Sequence, residues 1–391
     1  MALAPTIEAV APITDTALAE ALEAAVAQVR HNLPTFTHAA QNHSSVNNFY
    51  PPVDNTQWTA GFWPGQIWLA WEATGDDAFR KAAEIQVASF AHRIENKIAV
   101  DHHDMGFLYT PTCMAAWKLT GNEQARKAAL LAADQLASRF HEKGQFLQAW
   151  GSMGADGFYQ YIIDCLMNLP ILFWASEETG DERYRDLAQR HLKTTLANSI
   201  RPDFSTYHTF FMDRETGAPL RGATNQGHDD DSSWARGQAW GIAGLAYVYA
   251  HAPDPADIEI FDKLLAYYLD RLPADLIPYW DLIFSDGDDE PRDSSAAAIV
   301  ACGLLEMARH VPEARARELT ELARKMLASL WEHYAVRDPK VSNGQLLHGT
   351  YSKKTPYNTC HGEGVDECVS WGDYFYFEAL TRLSRNWQSY W

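Results

Sequence analysis

A ten-residue pattern that occurs three times sets the tightest limit on what this chain can fold into. Trp71-Glu-Ala-Thr-Gly-Asp-Asp-Ala-Phe-Arg80, Trp117-Lys-Leu-Thr-Gly-Asn-Glu-Gln-Ala-Arg126 and Ser176-Glu-Glu-Thr-Gly-Asp-Glu-Arg-Tyr-Arg185 each place an apolar run before Thr-Gly and an amphipathic run after it. Glycine takes the left-handed residue that ends one helix, and the Asp or Asn behind it caps the next. His251-Ala-Pro-Asp-Pro-Ala-Asp and His310-Val-Pro-Glu-Ala make the same joint with proline. Five tight helix–turn–helix joints along one chain call for stacked helical hairpins.

Hydrophobic periodicity and these punctuation signals predict twelve helices. They lie near 15–32, 58–73, 77–95, 105–119, 123–139, 158–178, 181–198, 234–250, 257–270, 294–309, 313–332 and 370–386. No run of alternating β-branched residues competes with them. Short turns follow the even-numbered helices, and long loops precede them. The even helices are apolar throughout, whereas the odd ones carry charge on one face. Six hairpins closed into a ring produce this alternation, with every long loop gathered at one mouth. The expected fold is therefore all-α, an (α/α)6 barrel, with residues 1–391 as a single catalytic domain. An open helical-repeat scaffold that binds a protein is the alternative.

Charge and composition narrow the function. Lys plus Arg number 32 and Asp plus Glu 51, a net charge of −19. Such a chain repels nucleic acid and anionic membranes. No apolar run is long enough to span a bilayer, and the first residues show no secretory leader. Five cysteines form an odd, sparse set that reads as reduced thiols in a cytoplasmic protein. Phosphate-binding glycine loops, zinc-protease helices and serine-nucleophile elbows are absent. Cys360-His361 with Cys368 lacks a second ligand pair, and His228-Asp-Asp-Asp231 reads as acids capping a helix that begins near Ser232. No metal or other cofactor is expected. Trp58, Trp63, Trp150, Trp234, Trp240 and Trp371 fall in or beside the long-loop ends, among Asp, His, Gln and Arg. That mixture suits a carbohydrate cleft, where sugar faces stack on indoles and hydroxyls meet polar groups.

Two aspartates stand out as carriers of chemistry. Asp104 lies where the fourth helix starts, a position that a plain N-cap also explains. Asp164 interrupts the apolar run Tyr159-Gln-Tyr-Ile-Ile-Asp-Cys-Leu-Met-Asn168. A carboxylate there is costly unless it is paired or functional, and burial raises its pKa toward that of a general acid. About one hairpin separates the two, so both belong near the mouth on adjacent inner helices. A third cluster joins Arg221-Gly-Ala-Thr-Asn-Gln-Gly-His228 to Ser233-Trp-Ala-Arg-Gly-Gln-Ala-Trp240. Arg236 there stands between Trp234 and Trp240, able either to fork onto a ligand carboxylate or to bridge a neighbouring acid. Gly222 and Thr224 sit where backbone can approach a ligand closely.

Four segments carry a family resemblance. His103-Asp-Met-Gly-Phe-Leu-Tyr109, Ile162-Ile-Asp-Cys-Leu-Met-Asn-Leu169, Ser232-Ser-Trp-Ala-Arg-Gly-Gln-Ala-Trp-Gly241 and Pro291-Arg-Asp-Ser-Ser-Ala296 resemble the unsaturated glucuronyl hydrolases, glycoside hydrolase family 88. The likeness runs through nearly the whole chain. It implies an (α/α)6 barrel in the cytoplasm, free of metal, acting on oligosaccharides left by polysaccharide lyases. It further implies Asp164 as general acid/base and Asp104 as its partner carboxylate. Gly222, Thr224, Arg236 and Trp240 fall at substrate-binding positions, with Trp58, His103, Trp150, His208, Gln226 and Trp234 as further pocket residues. Some members read a sulfated neighbouring sugar through Ser-x-x-Ser-x-Lys. Here Ser352 and Lys354 match, but Gly349 stands at the first serine. The implied reaction releases a 4,5-unsaturated uronic acid from the non-reducing end by hydrating its enol ether. An unsaturated rhamnogalacturonyl hydrolase, an ordinary inverting glycosidase and a sugar epimerase on the same barrel are the alternatives. The expected partner is the oligosaccharide alone, with no nucleic acid or membrane, for a monomer or homodimer.

Overall fold

The Thr-Gly joints close as their sequences require. Gly75, Gly121 and Gly180 adopt φ values of 70, 67 and 74°. Asp76, Asn122 and Asp181 then accept hydrogen bonds from the backbone N–H groups of Ala78, Ala125 and Arg183. Asp254 caps the next hairpin through Ala256. This computed structural model describes residues 9–391, so the first eight residues of the segment read for a leader lie outside the described residues.

All twelve expected helices are present. The odd-numbered, outer ones are Asp15–Phe36, Asp77–Glu95, Glu123–Ala137, Glu182–Asn198, Pro255–Leu269 and Glu313–Ser329. The inner ones are Phe62–Thr74, Met105–Tyr109 continuing to Thr120, Pro170–Thr179, Ala235–His251, Ser294–Met307 and Ser370–Ser384. Pro111 has no N–H to give the helical ladder, and the helix after Tyr109 widens into a π turn over Thr110–Met114 before Ala115–Thr120 resumes. Among the described residues no helix is long and apolar enough to cross a membrane.

The sixth helix differs from its expected span. Residues 158–162 are not helical: Gln160–Ile162 form a strand, Ile163–Asn168 a 3-10 turn, and the α-helix starts only at Pro170. That strand pairs antiparallel with Thr209–Met212, which pairs with Pro219–Ala223. Two further two-stranded ladders, Ala40–Gln41 with Pro52–Val53 and Phe140–His141 with Phe146–Leu147, also lie in the long loops. Tyr161 and Phe210 stack within a small apolar cluster of their own, with Phe146 and Met212. The Gln160–Ile162 strand is held by a partner far along the chain, and in all these ladders alternation over two to five residues is too brief to stand out.

The inner helices close into a ring, each packed on the next, with Ser370–Ser384 returning to Phe62–Thr74. Every inner interface has a glycine at its point of closest approach. A Cβ on Gly65 would meet Tyr374 at 2.5 Å and Pro111 at 2.7 Å; one on Gly106 would meet the Asn168 Cα at 2.6 Å. Gly244 against Leu166, Gly303 against Ala243 and Gly372 against Ser295 complete the set. The core sits between this ring and the outer helices, so six hairpins surround a narrow inner wall.

Candidate active site

The long loops precede the inner helices, so their ends converge at one rim. Two buried arginines hold this rim together. All five donors of Arg93 are spent: on Asn55 Oδ1 and on the carbonyls of Thr56, Gln57, Ile98 and Ala99. That ties the loop before Asp104 to the loop bearing Trp58. Arg139 bonds Asp101 and the carbonyls of Gln148 and Gly151, which fixes Trp150 from the other side.

Asp104 occupies the N-cap position of Met105–Tyr109, yet its side chain caps nothing. Its oxygens lie 2.9 Å from His102 Nδ1 and 3.1 Å from His103 Nε2. Burial works to raise its pKa, but His103, both by charge and by hydrogen bonding, and His102 outweigh it and hold the carboxyl below the usual carboxylate range. The plain-cap reading is thereby overturned. Gly106 lets this helix rest directly on the 3-10 turn that carries Asp164, where Phe107 N–H donates to Asn168 Oδ1 at 3.0 Å.

Asp164 is only 5% exposed, and its Oδ1 has no protein partner among the described residues. Burial is the main force on it and raises its pKa to about 7; Asp104 adds to the rise, while His103 and Arg236 oppose it. One carboxyl is therefore held ionised and its neighbour is poised to hold a proton, the division of labour an acid/base pair requires.

His208 lies next along the wall. Its Nδ1 accepts N–H groups from Asn225 (3.0 Å) and Gln226 (3.1 Å), so the proton sits on Nε2, which no protein group uses. Burial, then Arg236 and His103, lower its pKa to about 3, and the ring stays neutral. His103 Nδ1 is also buried without a protein partner. A buried acid, a neutral donor and a second imidazole nitrogen, all uncommitted, mark a surface built for a polar ligand.

Arg236 departs from the fork expectation. Its Nη1 bonds Asp293 Oδ2 (2.5 Å) and the Thr350 carbonyl (2.6 Å), and its Nη2 bonds Gln226 Oε1 (2.8 Å) and the Tyr351 carbonyl. Four of its five donors are spent, so no two-pronged grip on a ligand remains. The aromatic faces that flank it are Trp234 at 4.4 Å and Trp371 at 4.8 Å, not Trp240. Trp240 is 0% exposed, packed against Phe107 and Phe375, and offers no face to a sugar. Trp240 lies one turn further along the helix than Arg236, where Phe107 and Phe375 of the neighbouring inner helices enclose its ring. Trp234 is likewise covered, whereas Trp58 and Trp150 keep accessible surface. Trp63 is core, donating to the Phe36 carbonyl.

Other expected residues are nearby with altered tasks. Gly222 lies on a strand where a Cβ would strike the Tyr207 ring at 2.2 Å, so the close approach it permits is to Tyr207. The Thr224 hydroxyl accepts from Gly227 N–H at 2.7 Å and shapes the loop that presents Gln226. Ser352 is buried, with its hydroxyl accepting from Glu363 N–H, and Lys354 bonds the Asn358 carbonyl. The acids 229–231 cap no helix: Asp229 closes a turn onto Asp231 and Ser232, and the helix starts at Ala235. Among the described residues no three His, Cys, Asp or Glu side chains are grouped to hold a metal. Sequence reasoning missed His102, Asn168, Asp293, Tyr351 and the two anchoring arginines. Asn168 and Asp293 had a visible signal, each standing in a segment already singled out.

Comparison with known proteins identifies the family. The model of Glycosyl Hydrolase Family 88 matches residues 32–371. The chain is 46% identical over 381 residues to the unsaturated chondroitin disaccharide hydrolase of Streptococcus pneumoniae, covering 97% of this chain and 95% of that one. It is 40% identical over 375 residues to the unsaturated glucuronyl hydrolase of Bacillus sp. strain GL1, covering 95% and 98%. The crystal structure of the unsaturated glucuronyl hydrolase from Streptococcus agalactiae superposes with a TM-score of 0.95 at 43% identity, covering 100% of this chain and 98% of that one. An aspartate-to-asparagine variant of the same enzyme, solved in complex with dGlcA-GalNAc6S, matches with a TM-score of 0.87 at 40% identity over all of both chains.

Proposed function

Because this chain belongs to glycoside hydrolase family 88, we propose that Asp164 and Asp104 are the acid/base pair with which it hydrolyses unsaturated oligosaccharides. It is a glycoside hydrolase that releases the 4,5-unsaturated uronic acid from the non-reducing end of glycosaminoglycan oligosaccharides. The observation that carries the mechanism is Asp164: a buried carboxyl with its Oδ1 unpartnered and a pKa of about 7, beside an ionised one.

The substrate is an enol ether, so chemistry starts at C4=C5. Protonated Asp164 gives its proton to C4, and the ring oxygen stabilises the positive charge that forms at C5. Ionised Asp104 and the now ionised Asp164 favour that charge electrostatically. Water adds at C5 and yields its proton to Asp164, directly or through Asp104. The C5 hemiketal opens to a carbonyl, the former ring oxygen is left on C1, and the aglycone departs from the resulting hemiacetal. His208 Nε2–H donates to the sugar, whose carboxylate sits in the field of Arg236 without being forked by it. Trp58 and Trp150 supply the stacking faces. We take the barrel as one catalytic domain, working as a monomer or homodimer in the cytoplasm, a placement supported by five cysteines that are all unpaired and buried.

Two isotopes test the route. In oxygen-18 water with rapid trapping, label is expected on the new C5 carbonyl; in deuterium oxide, one deuterium is expected at C4. A saturated glucuronide of the same aglycone should not turn over. Label at the anomeric carbon without deuterium at C4 would identify ordinary glycosidic displacement.

A further inference from the structure

Beyond the pocket, the wall continues onto an aromatic ledge built from three long loops. Gln226, which holds Arg236, is followed by Gly227 against Trp234 and then by His228. His228 is 26% exposed, and its ring lies 5.8 Å from Tyr357 and 5.5 Å from Phe284. Tyr357 is 66% exposed. A single exposed tyrosine is unremarkable on any surface; the way this one is held is not.

Thr355 and Asn358, the buried residues on either side of Pro356-Tyr357, spend their side chains on presenting it. Thr355 Oγ1 donates to the His228 carbonyl at 2.7 Å and accepts from the N–H groups of Tyr357 and Asn358, both at 3.1 Å. Asn358 Nδ2 donates at 2.8 Å to the carbonyls of Gly227 and Lys353, and its Oδ1 accepts from Thr355 N–H. Asn225 Nδ2 adds a bond to Thr359 Oγ1 at 2.8 Å. The loop that holds Arg236 through the Thr350 and Tyr351 carbonyls thus runs outward for six residues and ends in a rigidly mounted phenol ring beside an imidazole. Aromatic rings fixed at low entropic cost beside a sugar cleft are suited to the C–H face of another sugar.

We propose that Tyr357, backed by His228, forms an outer subsite for the sugar two residues beyond the cleaved linkage. The chain then favours unsaturated oligosaccharides longer than the disaccharide. This rests on the reading of the active site given above.

The test compares an unsaturated disaccharide with an unsaturated tetrasaccharide from the same glycosaminoglycan, at fixed salt, for the unsubstituted enzyme, Tyr357→Ala and Tyr357→Phe. Losing the ring should raise KM for the tetrasaccharide about 5- to 20-fold. The disaccharide, too short to reach the ledge, should change less than about twofold, and Tyr357→Phe should retain the tetrasaccharide KM. An equal loss on both substrates, or no loss on either, overturns the subsite. If the unsubstituted enzyme turns over neither substrate, the active-site reading has failed instead. Calorimetric binding of the tetrasaccharide to Asp164→Asn, with and without Tyr357→Ala, then decides: a Kd raised by the same factor supports the subsite, and an unchanged Kd overturns it.

Discussion

At Asp164 the requirements of folding oppose those of the proposed acid/base role. Its folded pKa of about 7 stands above the value of about 3.9 for an unfolded aspartate. The stability attached to this group is complete below the unfolded value and is lost as the pH rises through about 7. Asp164→Asn should therefore lower turnover by on the order of 10²–10⁴ while being more stable than the native chain above pH 7, by up to about 4 kcal/mol. That gain should vanish below about pH 4, where the aspartate is protonated in both states; thermal denaturation at the two pH values checks it. The same protonation gives kcat/KM a basic limb near pH 7, and Asp104→Asn should move that limb to lower pH, because it removes a charge that raises Asp164. Arg236 is a different case. With Asp293, Gln226 and two carbonyls around its fork, Arg236→Lys should cost about 1–3 kcal/mol in stability, measured by denaturant titration. A rise in KM with stability unchanged would return Arg236 to the role of ligand clamp.

Among the elements, the glycine contacts between inner helices determine where the two carboxylates stand. Gly106 and Asn168 meet backbone to backbone, so a methyl group at Gly106 would have to push the Met105–Tyr109 helix off the Ile163–Asn168 turn. Gly106→Ala should destabilise by about 1–3 kcal/mol through overpacking, and kcat should fall at least about 10-fold as Asp104 and Asp164 move apart. Gly75→Ala, with open space around its Cβ but φ of 70°, should cost only stability, by roughly 1 kcal/mol, and leave kcat unchanged. Comparing the two variants by calorimetry and steady-state kinetics separates helix closure from site geometry. Helix identity and order were legible in the chain because each joint is local: a left-handed glycine and a cap lie within five residues. The strand Gln160–Ile162 was not legible, since its partner Phe210 comes some fifty residues later.

For the molecule as a whole, net charge sets the terms on which an anionic sugar arrives. With −19 overall, kcat/KM for the unsaturated disaccharide should rise about two- to fivefold between roughly 10 and 150 mM salt, as long-range repulsion is screened. A fall over the same range would mean that the field of Arg236 and the site histidines dominates the approach. Sequence alone determined the hairpin count, the inner and outer assignment, and the position of both aspartates at the mouth, because periodicity, caps and the cost of a lone buried carboxyl are properties of short stretches. Only the tertiary structure decided which tryptophans keep accessible surface, whether the Arg236 fork is free, and which carboxyl has its pKa raised. Those answers depend on neighbours such as Asp293, Thr350, His102 and Trp371, brought together by ring closure, and a side chain's charge and accessibility are set by whatever surrounds it in space.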